Sequence, residues 1–243
     1  MVIAFSGGVD SSLLLKVAKD VLRDRVVAVT AVSSLYPKDE LFTAKKIARE
    51  INCPHIIIET CELDDPQFVQ NPRNRCYYCK IELFKTLIRI ANKYGYVVVE
   101  ASNKSDLSDY RPGIIAAKKL VIKSPLIDAG LEKKEIRALA RKLGLPNWNK
   151  PSMACLASRI PYGRMIDRKT LKRVGSAEGY LKKLKLSQVR VRDHYPIARI
   201  EVLNDEIKKI LNNRERIVKY FRRLSYKYIS LDLEGYQTGS LNR

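Results

Sequence analysis

The chain has 243 residues, 46% of them apolar, and a formal net charge of +20 at pH 7. That length holds one large domain or two small ones with a full core, and no apolar run reaches the ~18–20 residues of a membrane helix. Five cysteines are an odd set for a secreted disulfide framework. Residues 1–5 are too short for a secretory signal, so a cytoplasmic protein without a membrane partner is expected. The charge is uneven, +8 over residues 1–150 and +12 over 151–243. This leaves a polyanionic or phosphorylated partner such as RNA open, beside a plain solvated lysine surface.

In chain order, Val2-Ile3-Ala4-Phe5 reads as a strand and residues 13–18 as a helix, with Ser6-Gly7-Gly8-Val9-Asp10-Ser11-Ser12 between them. Adjacent glycines let backbone N–H groups crowd without Cβ clashes. The helix start adds unpaired N–H groups and its positive end. With hydroxyls from Ser6, Ser11 and Ser12 this makes an anion cradle. It is not a Walker A loop, since no Gly-Lys-Ser/Thr follows, and it lacks the G-x-G-x-x-G of a dinucleotide fold. The string S-G-G-x-D-S resembles the PP-loop of ATP pyrophosphatases, which cleave ATP between the α- and β-phosphates.

Residues 25–32 read as a buried strand, 39–51 as a helix, 55–59 as a strand, 81–91 as a helix and 96–100 as a strand. Alternation of strands and helices predicts an α/β domain with a parallel sheet, whose ligands sit at the carboxyl ends of the strands. A helix over 131–143 stops at Gly144. Residues 149–166 read as a Pro-, Ser- and Gly-rich loop. A helix follows over 167–186, then strands over 188–191 and 198–202, one or two helices over 205–224 and a strand over 226–231. The expected division is a PP-loop domain over 1–163 and a small basic α+β domain over 164–243.

Cys76-Tyr77-Tyr78-Cys79 is a C-x-x-C pair, and Cys155 stands alone. Such a pair serves a redox dithiol, half a zinc site or part of an iron–sulfur site. No histidine is placed to complete a zinc site, and three thiolates suit a cluster with one open iron. Cys53 and Cys61, flanking a strand, read as packing residues.

With these cysteines in view, the chain resembles the LarE family of ATP-dependent sulfur transferases. The strings that carry the resemblance are residues 5–15 (FSGGVDSSLLL), 71–80 (NPRNRCYYCK), 102–113 (SNKSDLSDYRPG), 124–130 (SPLIDAG), 133–146 and 150–163 (KPSMACLASRIPYG), with further likeness over 189–202 and 235–242. The resemblance implies that ATP activates a substrate carboxylate as an acyl-adenylate, that pyrophosphate leaves, and that a sulfur nucleophile then displaces AMP. It implies one of two sulfur sources. Either Cys155 gives up its own sulfur, or Cys76, Cys79 and Cys155 hold a 4Fe–4S cluster whose open iron carries a sulfide. Sacrificing Cys155 ends the protein after one event and needs no C-x-x-C, so the cluster route is expected. A tRNA-thiolating PP-loop enzyme and a non-catalytic ATP-binding protein remain as other readings.

The resemblance further assigns ATP and Mg²⁺ to Ser6, Gly7, Gly8, Asp10, Ser11, Ser12, Lys80, Asn103, Asp106, Asp109 and Arg111. By their chemistry Ser158, Arg159, Arg190 and Arg192 are candidates for the phosphate of a mononucleotide substrate, guanidinium forks being suited to phosphate and strand alternation putting Arg190 and Arg192 on one face. A small-molecule substrate, a sulfide donor and self-association are the partners the resemblance implies. Two departures stand out. Family members carry a helix before the first strand, whereas this chain starts at the strand. Gln237 stands where an arginine is expected.

Overall fold

The computed structural model describes residues 1–151 and 154–237. Contacts divide the chain into two compact units, one of Met1–Phe68 with Pro72–Met153 and one of Val69–Asn71 with Ala154–Arg243. The second unit therefore begins at 154, before the 163/164 boundary drawn from sequence. A physical reason is Asn71, fully buried, whose amide Nδ2 donates to the carbonyls of Ile160, Pro161 and Arg164 at 3.3, 2.8 and 2.9 Å.

The first unit is a parallel sheet with helices. Its strands are β1 (Val2–Ala4), β2 (Val27–Val32), β3 (His55–Glu59) and β4 (Val98–Val99), in the order β3-β2-β1-β4, every pair parallel. Its helices are α1 (Val9–Leu22), α2 (Lys38–Glu50), α3 (Pro66–Val69, ending in the second unit), α4 (Arg75–Tyr94), α5 (Pro112–Lys119), α6 (Pro125–Asp128) and α7 (Lys133–Lys142). Strands covered on both faces carry runs of Val, Ile and Ala instead of alternating polarity. Val2 and Ile3, successive residues of β1, are accordingly both buried, Ile3 in a core with Leu13, Leu15 and Ile136 and Val2 in one with Phe84 and Leu87. The α/β architecture read from the sequence is thus observed.

The second unit holds α8 (Arg168–Lys182), β5 (Val189–His194), β6 (Ile197–Val202), α9 (Ile207–Asn212), α10 (Arg214–Arg223) and β7 (Tyr228–Leu231). Its sheet is mixed: β5 pairs antiparallel with β6, and β6 parallel with β7. Asp167 caps α8 by accepting from Thr170 N at 2.7 Å. A core of Leu181, Val191, Ile200, Ile217 and Phe221 closes the unit.

Two sequence expectations are corrected. The C-x-x-C pair, outside the predicted helix 81–91, lies in the opening turns of α4, which starts six residues before the predicted helix. Apolar periodicity becomes clear only after Lys80, because the buried apolar residues of α4 are Phe84, Leu87 and Ala91. Cys61 is exposed and so is no packing residue, whereas Cys53 is buried, its thiol donating to Val26 O at 3.6 Å and its pKa pushed up by burial. No helix among the described residues is long and apolar enough to cross a membrane.

Candidate active site

In the first unit the site is the turn between β1 and α1, at the carboxyl end of the sheet. Gly7 sits at φ +70°, and a Cβ there would meet the Ala44 backbone of α2 at 2.9 Å. Both the left-handed backbone and the close approach of α2 therefore require glycine. Gly8 is the N-cap of α1 and has no side chain to bond the first-turn N–H groups, which leaves them for a ligand. Ser6 Oγ and Ser11 Oγ lie 3.2 Å apart, and Gly8 N donates to Ser6 Oγ at 3.3 Å. Ser12 is fully buried and its Oγ accepts from Asn147 Nδ2 at 2.9 Å. The same amide donates to Gly7 O at 3.0 Å. Ser12 thus bolts the loop to residue 147, while Ser6 and Gly8 are its more exposed members.

Asp10, in the first turn of α1, is partly exposed. Its Oδ1 accepts from Asn103 Nδ2 at 3.2 Å and its Oδ2 from the Lys133 ammonium. Mg²⁺ takes one or two carboxylates plus phosphate oxygens instead of an all-protein cage, and Asp10 with the nearby serine hydroxyls supplies hard oxygen donors of that kind. Asn103 opens the 3₁₀ turn Lys104–Ser108, and its backbone N–H is held by Asp106 Oδ2 at 3.0 Å. Arg111 pairs with Asp106 at 3.0 Å and Asp109 at 3.2 Å, which ties the two acids of this loop together. Lys80, on α4, lies 5.3 Å from the Phe84 ring centre, and its stem lies against Gly113.

Cys76 and Cys79, three apart on α4, share a helix face. Cys76 is exposed and Cys79 half-buried. The Cys79 thiol donates weakly to Glu62 Oε1 at 3.9 Å, and the same oxygen accepts from Thr60 Oγ1 at 2.9 Å. The donor set has thiol chemistry fit for iron or zinc. Among the described residues no three His, Cys, Asp or Glu side chains form a group able to hold a metal ion.

In the second unit Cys155 precedes a short 3₁₀ turn, Leu156–Arg159. Arg159 is fully buried. Its Nε and Nη2 engage Glu178 at 2.7 and 3.0 Å, and its Nη1 donates to the carbonyls of Ala154 and Cys155 at 3.0 and 3.1 Å. Ser158 Oγ donates to the same Cys155 carbonyl at 2.8 Å. Arg190 and Arg192 share a face of β5. Arg192 forms a fork with Glu201 at 2.8 and 2.9 Å and donates to Ser158 O at 2.7 Å. Arg190 stacks 5.2 Å from the Tyr236 ring, and its pKa is pulled down by burial and then by the Arg159 cation. Both candidate phosphate ligands are thus buried, Arg192 against Glu201 and Arg190 with its Nη1 donating to Val189 O at 2.8 Å.

Sequence reading missed Asn147, Lys133 and Glu100. Glu100 follows β4, is buried, and accepts from Ser102 N at 2.9 Å and Ser124 Oγ at 2.5 Å. A signal existed for Lys133 alone. A cation in the first turn of a helix opposes the helix dipole, so an acid from elsewhere is to be sought.

Comparison with known proteins decides the family. The profile described as NAD synthase matches residues 1–213. The chain belongs to the NAD synthase family. A family relative in Synechocystis, an uncharacterised protein, is 46% identical over 244 aligned residues, covering 99% of this chain and 91% of the relative. The pyridinium-3,5-bisthiocarboxylic acid mononucleotide synthase of Lactiplantibacillus plantarum is 38% identical over 242 residues, covering 99% and 88%. An uncharacterised protein of Methanocaldococcus jannaschii is 30% identical over 241 residues, covering 98% and 91%. Within the NAD synthase family the chain stands with the LarE group that its sequence strings resemble.

Proposed function

We propose that this NAD synthase family member is an ATP-dependent sulfur transferase of the LarE type, acting on a carboxylate of a small mononucleotide-like substrate. The observation that carries the reading is 38% identity, over 99% of this chain, to a bisthiocarboxylic acid mononucleotide synthase, combined with an intact 6–12 loop. Backbone N–H groups and Ser6 cradle the phosphates, and Asp10 orients Mg²⁺ when it is bound. A substrate carboxylate oxygen attacks the α-phosphorus, and pyrophosphate departs. A sulfur nucleophile then attacks the acyl carbon, and AMP departs with the carboxylate oxygen.

The PP-loop part handles ATP; Ser158, Arg159, Arg190 and Arg192 of the basic part, the sequence candidates for substrate phosphate, are already engaged within that part, so the reading does not rest on them. For the sulfur source our reading is Cys76, Cys79 and Cys155. When bound by these thiolates, a 4Fe–4S cluster supplies a sulfide on its open iron. The chain's own contribution is to fix the Cys155 carbonyl through Arg159 and Ser158, and to present Cys76 and Cys79 on one helix face.

Products formed from ATP with and without a pyridine mononucleotide carboxylate test the reading. AMP and pyrophosphate are expected, and ADP with orthophosphate as sole products overturns it. Anaerobic iron and acid-labile sulfide content, with intact mass after several turnovers, tests the sulfur source. Loss of one H₂S from Cys155 after a single turnover overturns the cluster.

A further inference from the structure

The Gly7–Gly8 peptide has a freedom that an anion cradle cannot tolerate. A peptide plane between two glycines turns over at little cost, since neither residue has a Cβ to oppose the new dihedral angles. In one orientation its N–H joins the cradle. In the other its carbonyl does, and a carbonyl oxygen repels phosphate. A partner on one side of the plane has to decide between them. Asn147 lies on the inner side. Its Nδ2 donates to Gly7 O at 3.0 Å and to Ser12 Oγ at 2.9 Å. A carbonyl only accepts, so the contact with Gly7 O fixes which end of the amide is the nitrogen. Gly7 O is held inward. The Gly8 N–H, on the opposite edge of the same plane, points outward and meets Ser6 Oγ at 3.3 Å.

Two further observations single out this side chain. Asn147 is buried, and its Oδ1 meets no donor among the described residues. A stranded acceptor costs stability, so packing alone gives no reason for an amide here. The backbone that carries it is also clamped. Arg137 of α7 donates to Trp148 O at 3.2 Å and to Lys150 O at 3.0 Å, and Leu145 N donates to Ala140 O at 2.9 Å. The turn after α7 is therefore a rigid mount, as precise positioning requires. We propose that Asn147 is a positioning residue of the ATP site. By holding the Gly7 carbonyl it aims the Gly8 N–H at the phosphates, and it acts on ATP only through that peptide. The inference rests on the reading of the 6–12 loop as an ATP site.

The test compares the full-length protein with Asn147→Leu, which keeps the branching at Cγ and removes both donors. Equilibrium dialysis measures binding of ATP with Mg²⁺, and urea unfolding establishes that the variant folds. Gly7–Gly8 is the one Gly-Gly pair in the sequence. Glycine labelled with ¹³C at its carbonyl and ¹⁵N at its nitrogen therefore gives a single coupled magnetic-resonance signal, that of this peptide. Asn147→Leu is expected to weaken ATP binding by about tenfold, the scale of one charge-assisted hydrogen bond. Its Gly7–Gly8 signal is expected to be displaced before any nucleotide is added. A residue that only packs the turn after α7 against α1 predicts lower stability with the signal and the affinity unchanged, and that result overturns the proposal. So does weakened binding with the signal in its wild-type place. If Asn147→Leu does not fold, Asn147→Ala decides the same point by the same two readings. Wild-type protein that does not bind ATP overturns the ATP site itself, whereas wild-type binding that the variants match overturns only the role of Asn147.

Discussion

Gly7 concentrates the demands of the site in one residue. Its φ of +70° and the Ala44 backbone 2.9 Å from a would-be Cβ allow no side chain. Gly7→Ala is expected to cost about 2–4 kcal/mol, from left-handed strain and overpacking together, and to abolish ATP binding. Urea unfolding and nucleotide dialysis read the two effects, and a stable variant with normal binding refutes the account. His55 is a second residue with a definite expectation. The Thr30 hydroxyl donates its proton to Phe5 O at 2.7 Å, so its 2.7 Å contact with His55 Nε2 requires the Nε2–H tautomer. Burial, then the Lys45 charge, pulls the His55 pKa below its ordinary value of 6.5. The folded chain therefore binds this proton later than the unfolded chain. Stability from neutral His55 is present above about 6.5 and is lost as pH falls below that value. Melting temperature between pH 7.5 and 5.5 should fall more for wild type than for His55→Gln, and equal slopes would refute the assignment.

At the scale of elements, the turn before α8 and the strand β5 are joined by charge. Arg159 and Glu178 are both almost fully buried and bonded through two nitrogens. Glu178 Oε1 also accepts from Val191 N at 3.0 Å. Removing one partner leaves the other charge stranded, a loss of about 3–5 kcal/mol. Glu178→Ala should show that loss in chemical denaturation, while the double change Arg159→Met with Glu178→Leu should recover much of it. Failure of the double variant to recover would mean that the pair also holds the Cys155 carbonyl in a way apolar packing cannot replace. On α4 the three-residue spacing of Cys76 and Cys79 gives one face to both thiols, which a loop would not guarantee.

At the scale of the molecule, the net charge of +20 draws polyanions in general. On the small-molecule reading, RNA binding is diffuse electrostatic attraction. It should vanish between roughly 50 and roughly 200 mM salt, as counterion release dictates. Filter binding of tRNA across that range checks this. A complex of defined stoichiometry that survives at the upper end would favour tRNA thiolation instead. The two compact units also account for how the chemistry-bearing residues are partitioned. The phosphate cradle and the C-x-x-C pair belong to the first unit, Cys155 and the buried guanidiniums to the second.

What the sequence determined by itself is what short stretches of chain decide. Apolar runs and helical spacing name β2, β3, α2 and α7 within a residue or two, because burial and periodicity are local. Ser-Gly-Gly-x-Asp-Ser names the cradle, because its geometry comes from glycine freedom and a helix start. The resemblance over 235–242 lies largely outside the described residues. Tertiary structure alone decided what depends on partners distant in the chain. Asp10 meets Lys133 across 123 residues and Asn147 reaches Ser12 across 135. No periodicity records such pairings. Arginines 159, 190 and 192 read as candidate phosphate ligands from their chemistry, yet the acids of Arg159 and Arg192, Glu178 and Glu201, arrive from other elements. Only the fold reveals that these guanidiniums are already bonded, because a charge can be buried only where a partner has been brought to it.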